Sequence, residues 1–125
     1  MMANHDTDTL ARDETTNMIS SEKVDGTAVY DRNGDKIGSV HHLMIGKQDG
    51  KVRYGVISFG GFLGMGENYH PLPWDMLTYG IDHDGYMVDF DKDALKDAPS
   101  HPIGQEPIYD RAYDERVTTY YGQRR

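Results

Sequence analysis

The chain has 125 residues, enough for one domain of roughly 100–150 residues with tails. Its net charge of −8 and pI near 5.0 argue against a general nucleic-acid binder, which needs a basic patch to release phosphate counterions, and against docking on anionic lipid. The absence of cysteine excludes a disulfide framework, thiolate catalysis and a Cys-type zinc site.

Hydrophobic residues make up 37% of the chain and mean hydropathy is −0.73, so part of the length is expected to lie outside any core. Residues 1–18 supply much of that part. They carry Asp6, Asp8, Asp13 and Glu14 with almost no apolar residues, and read as a disordered acidic tail. No apolar signal-peptide core is present, and no stretch reaches the ~20 apolar residues that span a bilayer. A cytoplasmic protein without direct membrane insertion is the expectation.

From Ser20 the pattern reads as β. Val24, Ala28, Val29 and Tyr30 lead into Asn33-Gly34, a pair that favours a type I′ hairpin because both central residues need positive φ. The return strand is expected over 36–45. Ile37, Ser39, His41, Leu43 and Ile45 would share one face, with Gly38, Val40, His42 and Met44 on the other. A second turn follows at Asp49-Gly50, then a strand over 51–59 that is apolar on both faces.

Residues 60–66 form a glycine-rich loop. Tyr69 to Trp74 follows, with Pro71 and Pro73, whose missing N–H donors place this segment on a sheet edge or a barrel rim. Further extended pieces are expected over 76–81 and 86–90 around a turn at 82–85. Asp91 then caps a short helix reaching Ala98, stopped by Pro99. Turns every ~8–12 residues point to a small all-β barrel or sandwich. After a linker over 100–106, Tyr109, Tyr113, Val117 and Tyr120 or Tyr121 recur at steps of three and four, the spacing of a short helix with one aromatic stripe. A helix this short needs a surface to dock on, whether its own domain or a partner subunit.

Motifs that carry chemistry fail on inspection. Asp31, Asn33 and Asp35 open like a calcium loop, but Lys36 stands where glycine is needed and His42 where the bidentate glutamate is needed. Gly61 and Gly66 have P-loop spacing, with Glu67 in the lysine position. His41 and His42, adjacent on a regular strand, would point to opposite faces and could not chelate one ion together; His70 could join one of them only through the fold. Ser58 sits mid-strand outside any nucleophile-elbow motif, and Asp75 beside Trp74 is a lone carboxylate. The expectation is a protein that is not an enzyme, with no catalytic, cofactor-binding or metal residues. What remains distinctive is an aromatic and apolar set suited to contacts with protein: Phe59, Phe62, Leu63, Met65, Tyr69, Trp74, Tyr109, Tyr113 and Tyr120.

Three stretches, VYDRNGDKIGSV, VRYGVISFGGFLGMGENYHPLPWDML and GYMVDFDKDALKDAP, resemble the PRC-barrel domain, and the resemblance runs from Lys23 to Pro99. The family takes its name from the photosynthetic reaction centre H subunit, and the ribosome maturation factor RimM carries the same module; small stand-alone bacterial members are common. The resemblance implies a compact β-barrel; joined to the pattern above, the expectation is a mainly β fold, a barrel of five or six strands over residues 19–99 with a short helix after the last strand, followed by a C-terminal helix. The resemblance implies an assembly or binding adaptor rather than a catalyst, and the expectation is one that binds a protein partner or a second copy of itself. The sequence lacks a transmembrane helix before the barrel and a preceding RimM-type domain, so neither a literal H-subunit role nor ribosome maturation is expected. The rival expectation is a barrel that binds a small ligand or metal at its mouth through the histidines.

Overall fold

The computed structural model describes residues 18–59, 68–80, 84–102 and 104–122. The acidic tail, the glycine-rich loop with Phe62, Leu63 and Met65, and His83 lie outside the described residues.

The first element departs from the β expectation. Ser21–Val24 is a single helical turn, α1, because the Ser20 hydroxyl caps it by accepting from the Glu22 N–H, and Val24 anchors it in the core. Strand β1 (Ala28–Tyr30) and strand β2 (Lys36–Ile45) then form the first hairpin. Its turn is not type I′. Gly34 has φ +86°, but Asn33 does not adopt positive φ. Instead the buried Asp31 carboxylate accepts from the backbone N–H groups of Asn33 (2.9 Å) and Asp35 (3.1 Å), so a side chain closes the turn in place of a second left-handed residue.

Strand β2 has the length expected, but strict alternation does not hold along it. Val40 lies opposite Ile57 and His42 opposite Val56, leaving His41 as an extra residue in a β-bulge. Strand β3 (Val52–Phe59) is central, with Tyr54, Val56, Ile57 and Phe59 all buried, as a strand apolar on both faces requires. Strand β4 (Asn68–Pro73) pairs with β3 along its whole length. On its other side only Asn68 and Tyr69 are paired, to β7 (His101–Pro102), so both prolines lie on the uncovered part of that edge.

The chain then makes a 3-10 turn at Trp74–Met76, across the junction of the extended pieces expected over 69–74 and 76–81, before β5 (Thr78–Gly80) and β6 (Gly85–Met87). Strand β6 runs parallel to β1, pairing Val29 with Tyr86. The helix expected from Asp91 to Ala98 is a 3-10 turn over Lys92–Leu95, and β7 follows it, so it does not come after the last strand. Among the described residues the seven strands form one sheet in the order β5-β6-β1-β2-β3-β4-β7, with no pairing between β5 and β7 to close it.

Helix α2 (Arg111–Gly122) completes the molecule. It starts at Arg111, two residues after the first tyrosine of the stripe, behind Asp110, whose carboxylate accepts from the Tyr113 N–H (2.9 Å). Val117 and Tyr121 on this helix are fully buried in the same core as Val29, Val40, Ile57, Leu72, Phe90 and Leu95.

At Gly38 strand β2 leaves no room for a side chain against β3. A Cβ there would stand 2.5 Å from the Ser58 carbonyl oxygen and 2.7 Å from Phe59 Cδ1. Gly38→Ala is therefore expected to destabilise the domain by about 1–3 kcal/mol, read as a lower urea midpoint at unchanged slope. An unchanged midpoint would mean that β2 and β3 separate freely at this point.

Candidate functional site

The contact residues expected from the sequence fall into two groups, and the fold uses most of them internally. Phe59 is 1% exposed and belongs to the core, so it offers no surface. Trp74 is half-buried, its ring 5.3 Å from that of Tyr86. It occupies space left by Gly55, where an added Cβ would meet Leu77 Cδ1 at 2.8 Å and the Trp74 ring at 3.5 Å.

The tyrosine stripe docks α2 on its own domain. Tyr54 donates its hydroxyl to the Asp114 carboxylate, and its ring lies 5.2 Å from that of Tyr109, which in turn sits 5.4 Å from Tyr113. Tyr120 donates to the Ala94 carbonyl, and Tyr121 stacks on Phe90 at 5.7 Å. Burial pushes the phenols of Tyr54, Tyr109, Tyr113 and Tyr121 up, Tyr109 to about 12 and Tyr54 further, with the Asp114 carboxylate adding to the effect of burial on Tyr54. The sequence left open whether Tyr120 or Tyr121 completes the stripe. The fold puts Tyr121 in the core and leaves Tyr120 half-buried beside it.

Docking leaves one apolar side chain out. Ile108, which the sequence reading passed over, is 80% exposed. It borders an open groove of about 380 Å³ lined also by Pro107, Ala112, Tyr113 and Arg116. The Arg116 guanidinium carbon lies 5.4 Å from the centre of the Tyr113 ring, a cation–π arrangement on the groove wall. A second groove of about 580 Å³ between residues 97–100 and α2 shares Ser100 and Arg116 with the first.

The other group is Tyr69 with the histidines around it, at the sheet end where β3, β4 and β7 meet and where Phe59 and Asn68 pair. The bulge overturns the expectation that His41 and His42 diverge. Their Nδ1 atoms are 2.8 Å apart and their rings meet edge to face, with centres 5.0 Å apart. The other nitrogen of His41, Nε2, is 3.0 Å from the Tyr69 hydroxyl. The buried Tyr69 ring thus has three imidazoles around it, with centres at 4.4 Å (His41), 5.7 Å (His101) and 6.2 Å (His42). No periodicity signals a bulge, so the sequence carried no sign of this cluster.

His70 points the other way and is 1% exposed, edge-on to Phe59 at 5.1 Å. Neither of its ring nitrogens has a hydrogen-bond partner, although the backbone of Leu95 and Asn68 lies close enough to favour its protonated form slightly. Burial holds His70 below the usual imidazole range. His101 donates or accepts at Nδ1 only; the nearby Pro102 carbonyl (3.0 Å) can only accept, so Nδ1 carries the hydrogen and Nε2 is left without a partner. Burial also lowers His42, and the charge of His41 lowers it further. Among the described residues no three His, Asp or Glu side chains come together as a group able to hold a metal ion. No helix there is long and apolar enough to cross a membrane.

A mainly β sheet with a C-terminal helix packed into its core defines the class of this protein. The particular family is set by the sequence: residues 16–95 match the PRC-barrel domain model, and the chain belongs to that family. An uncharacterized protein of Deinococcus radiodurans is similar, 33% identical over 82 residues, covering 64% of this chain and 28% of that relative. The chain therefore spans under a third of that relative's length. Helix α2 lies outside the 16–95 match, yet it supplies two fully buried core residues, Val117 and Tyr121.

Proposed function

We propose that this chain is a non-enzymatic protein-binding and assembly module of the cytoplasm, a PRC barrel that recognises a protein surface, its own second copy included, and uses no cofactor. The observation that carries this reading is the exposed Ile108 beside Tyr113 and Arg116 on an open groove. An aliphatic anchor flanked by tyrosine and arginine is the composition of a protein-binding hot spot, where a few side chains supply most of the binding energy. Phe62, Leu63 and Met65 of the glycine-rich loop are kept as further contact candidates. Tyr109 supports the surface through its ring contact with Tyr113, while Trp74 and Tyr120 are held by internal contacts with Tyr86 and Ala94.

The test is sedimentation over a wide concentration range for the native chain and for Ile108→Asp, with cross-linking of both in the native cell from Ala112 on the same groove. Association or a defined cross-linked protein, lost in Ile108→Asp at unchanged melting temperature, is the expected result. A chain that stays monomeric and gives no cross-link dependent on Ile108 overturns the reading. In parallel, a large thermal shift with one metal or small cofactor favours the rival small-ligand barrel, since a ligand at 100 times its Kd stabilises by about 2.7 kcal/mol.

A further inference from the structure

The paired imidazoles of β2 have no part in the assembly surface just described, and their geometry is restrictive. Two ring nitrogens 2.8 Å apart leave room for one hydrogen between them, so one Nδ1 donates and the other accepts. His41 is engaged at both nitrogens, by His42 at Nδ1 and by the Tyr69 hydroxyl at Nε2. With both rings neutral, two hydrogen placements satisfy this chain. Either Tyr69 donates to His41 and His41 to His42, or both donations run the other way.

A first added proton is accommodated in the same geometry. A doubly protonated His41 donates from Nδ1 to His42 and from Nε2 to the Tyr69 oxygen, and each contact still holds one hydrogen. A second proton cannot be placed. It would put N–H on both facing Nδ1 atoms and bring two positive rings into contact, so the pair must part.

Other charged groups decide where His42 goes. Asp25, at the end of α1, and Glu106, in the segment after β7, both favour its charged form, whereas His41 on its own strand and His101 on β7 oppose it. His70, on β4, faces away from His42 onto Phe59, and the charge that reaches it is that of His101, which opposes its protonation. Asp25 and Glu106 are both exposed.

We propose that His41 and His42 form an acid-operated latch, closed with one bound proton and opened by the second, which swings His42 away from His41 towards Asp25 and Glu106. The hydrogen-bonded contact of 2.8 Å is exchanged for attraction to two carboxylates on different segments. Opening also ends the support that His41 receives from His42, at a point where Tyr69 joins β4 to β7. The consequence is a local rearrangement confined to the bulge, β7 and the Glu106 segment.

The test is an NMR titration of the imidazole nitrogens in the full chain between pH 8 and 5. The native pair should titrate in two macroscopic steps separated by at least about one pH unit, the expected result for two directly interacting groups. Amide signals of β7 and the Glu106 segment should follow only the second step. His41→Ala, at an exposed bulge position, should leave His42 with a single step at higher pH. Glu106→Gln should move the second step to lower pH and leave the first in place. If His41→Ala disturbs the backbone amide spectrum, Tyr69→Phe serves instead and should narrow the separation of the two steps. A His42 that titrates in one step, unchanged by His41→Ala or by Tyr69→Phe, overturns the latch.

Discussion

Tyr121→Ala is expected to destabilise the domain by about 3–5 kcal/mol, the usual cost of removing a large aromatic from a packed core. That is a large part of the ~5–15 kcal/mol that holds a domain of this size together, and should lower the melting temperature by roughly 10–20 °C. The ring is fully buried and stacked on Phe90, so its loss leaves a cavity between α2 and the sheet. The companion variant points the other way. The Tyr121 hydroxyl is buried without a hydrogen-bond partner, and such a group carries a desolvation cost of about 1–3 kcal/mol. Tyr121→Phe keeps the stacking and removes the unpaired oxygen, so it should match or exceed the native chain. Thermal melts of both variants decide the matter. If the phenylalanine variant falls as far as alanine, the hydroxyl has a partner and α2 is seated differently.

Lowering the pH from 7.5 to 5.5 is expected to weaken the native chain more than His70→Leu. Burial holds the His70 imidazole below the range of an unfolded histidine, near 6.5. Above pH 6.5 both states are neutral at this residue, and its contribution is constant. Below that, the unfolded chain takes up a proton that the folded chain refuses. Stability then falls on acidification until the folded-state pKa is passed, with a limiting slope of about 1.4 kcal/mol per pH unit for one proton. His42 is shifted in the same direction and adds to the slope in both chains. Urea unfolding at pH 7.5, 6.5 and 5.5 should give stability curves that diverge towards acid, the leucine variant losing less. Keeping above pH 5.5 leaves the carboxylates ionised, so the difference reports histidine. Parallel curves would mean that His70 is protonated as readily in the folded chain as in the unfolded one.

The β pattern was readable where extended apolar stretches lie between turn signals. Lys36 to Ile45 and Val52 to Phe59 were placed as strands within one residue, because their apolar residues leave no other buried arrangement. The prolines at 71 and 73 correctly marked an edge, since a missing N–H is a property of the residue itself. The failures have physical causes too. Ser20 caps a helical turn where β was expected, and Asp31 closes a hairpin that Asn33 was expected to close, because one side chain's hydrogen bonds to the backbone outweighed the local preference. The parallel pairing of β1 with β6 joins residues nearly sixty positions apart, and no local pattern encodes such a partner.

The aromatic residues show the same division. Their types marked them as contact-forming side chains, but the direction of contact was not legible. Phe59, Tyr69, Trp74 and the tyrosine stripe are largely turned inwards, while the exposed anchor is Ile108, one aliphatic residue in a polar segment.

By itself the sequence determined the class of fold, the strand-rich core, the edge position of the prolines and the family, because these follow from side-chain type and spacing along the chain. Only the tertiary structure decided that α2 fills the core of its own domain, that seven strands pair in this order, and that His41 and His42 meet. Each of those depends on a long-range pairing or on one extra residue in a ladder, and a bulge reverses the side-chain alternation from which any reading of the strand must start.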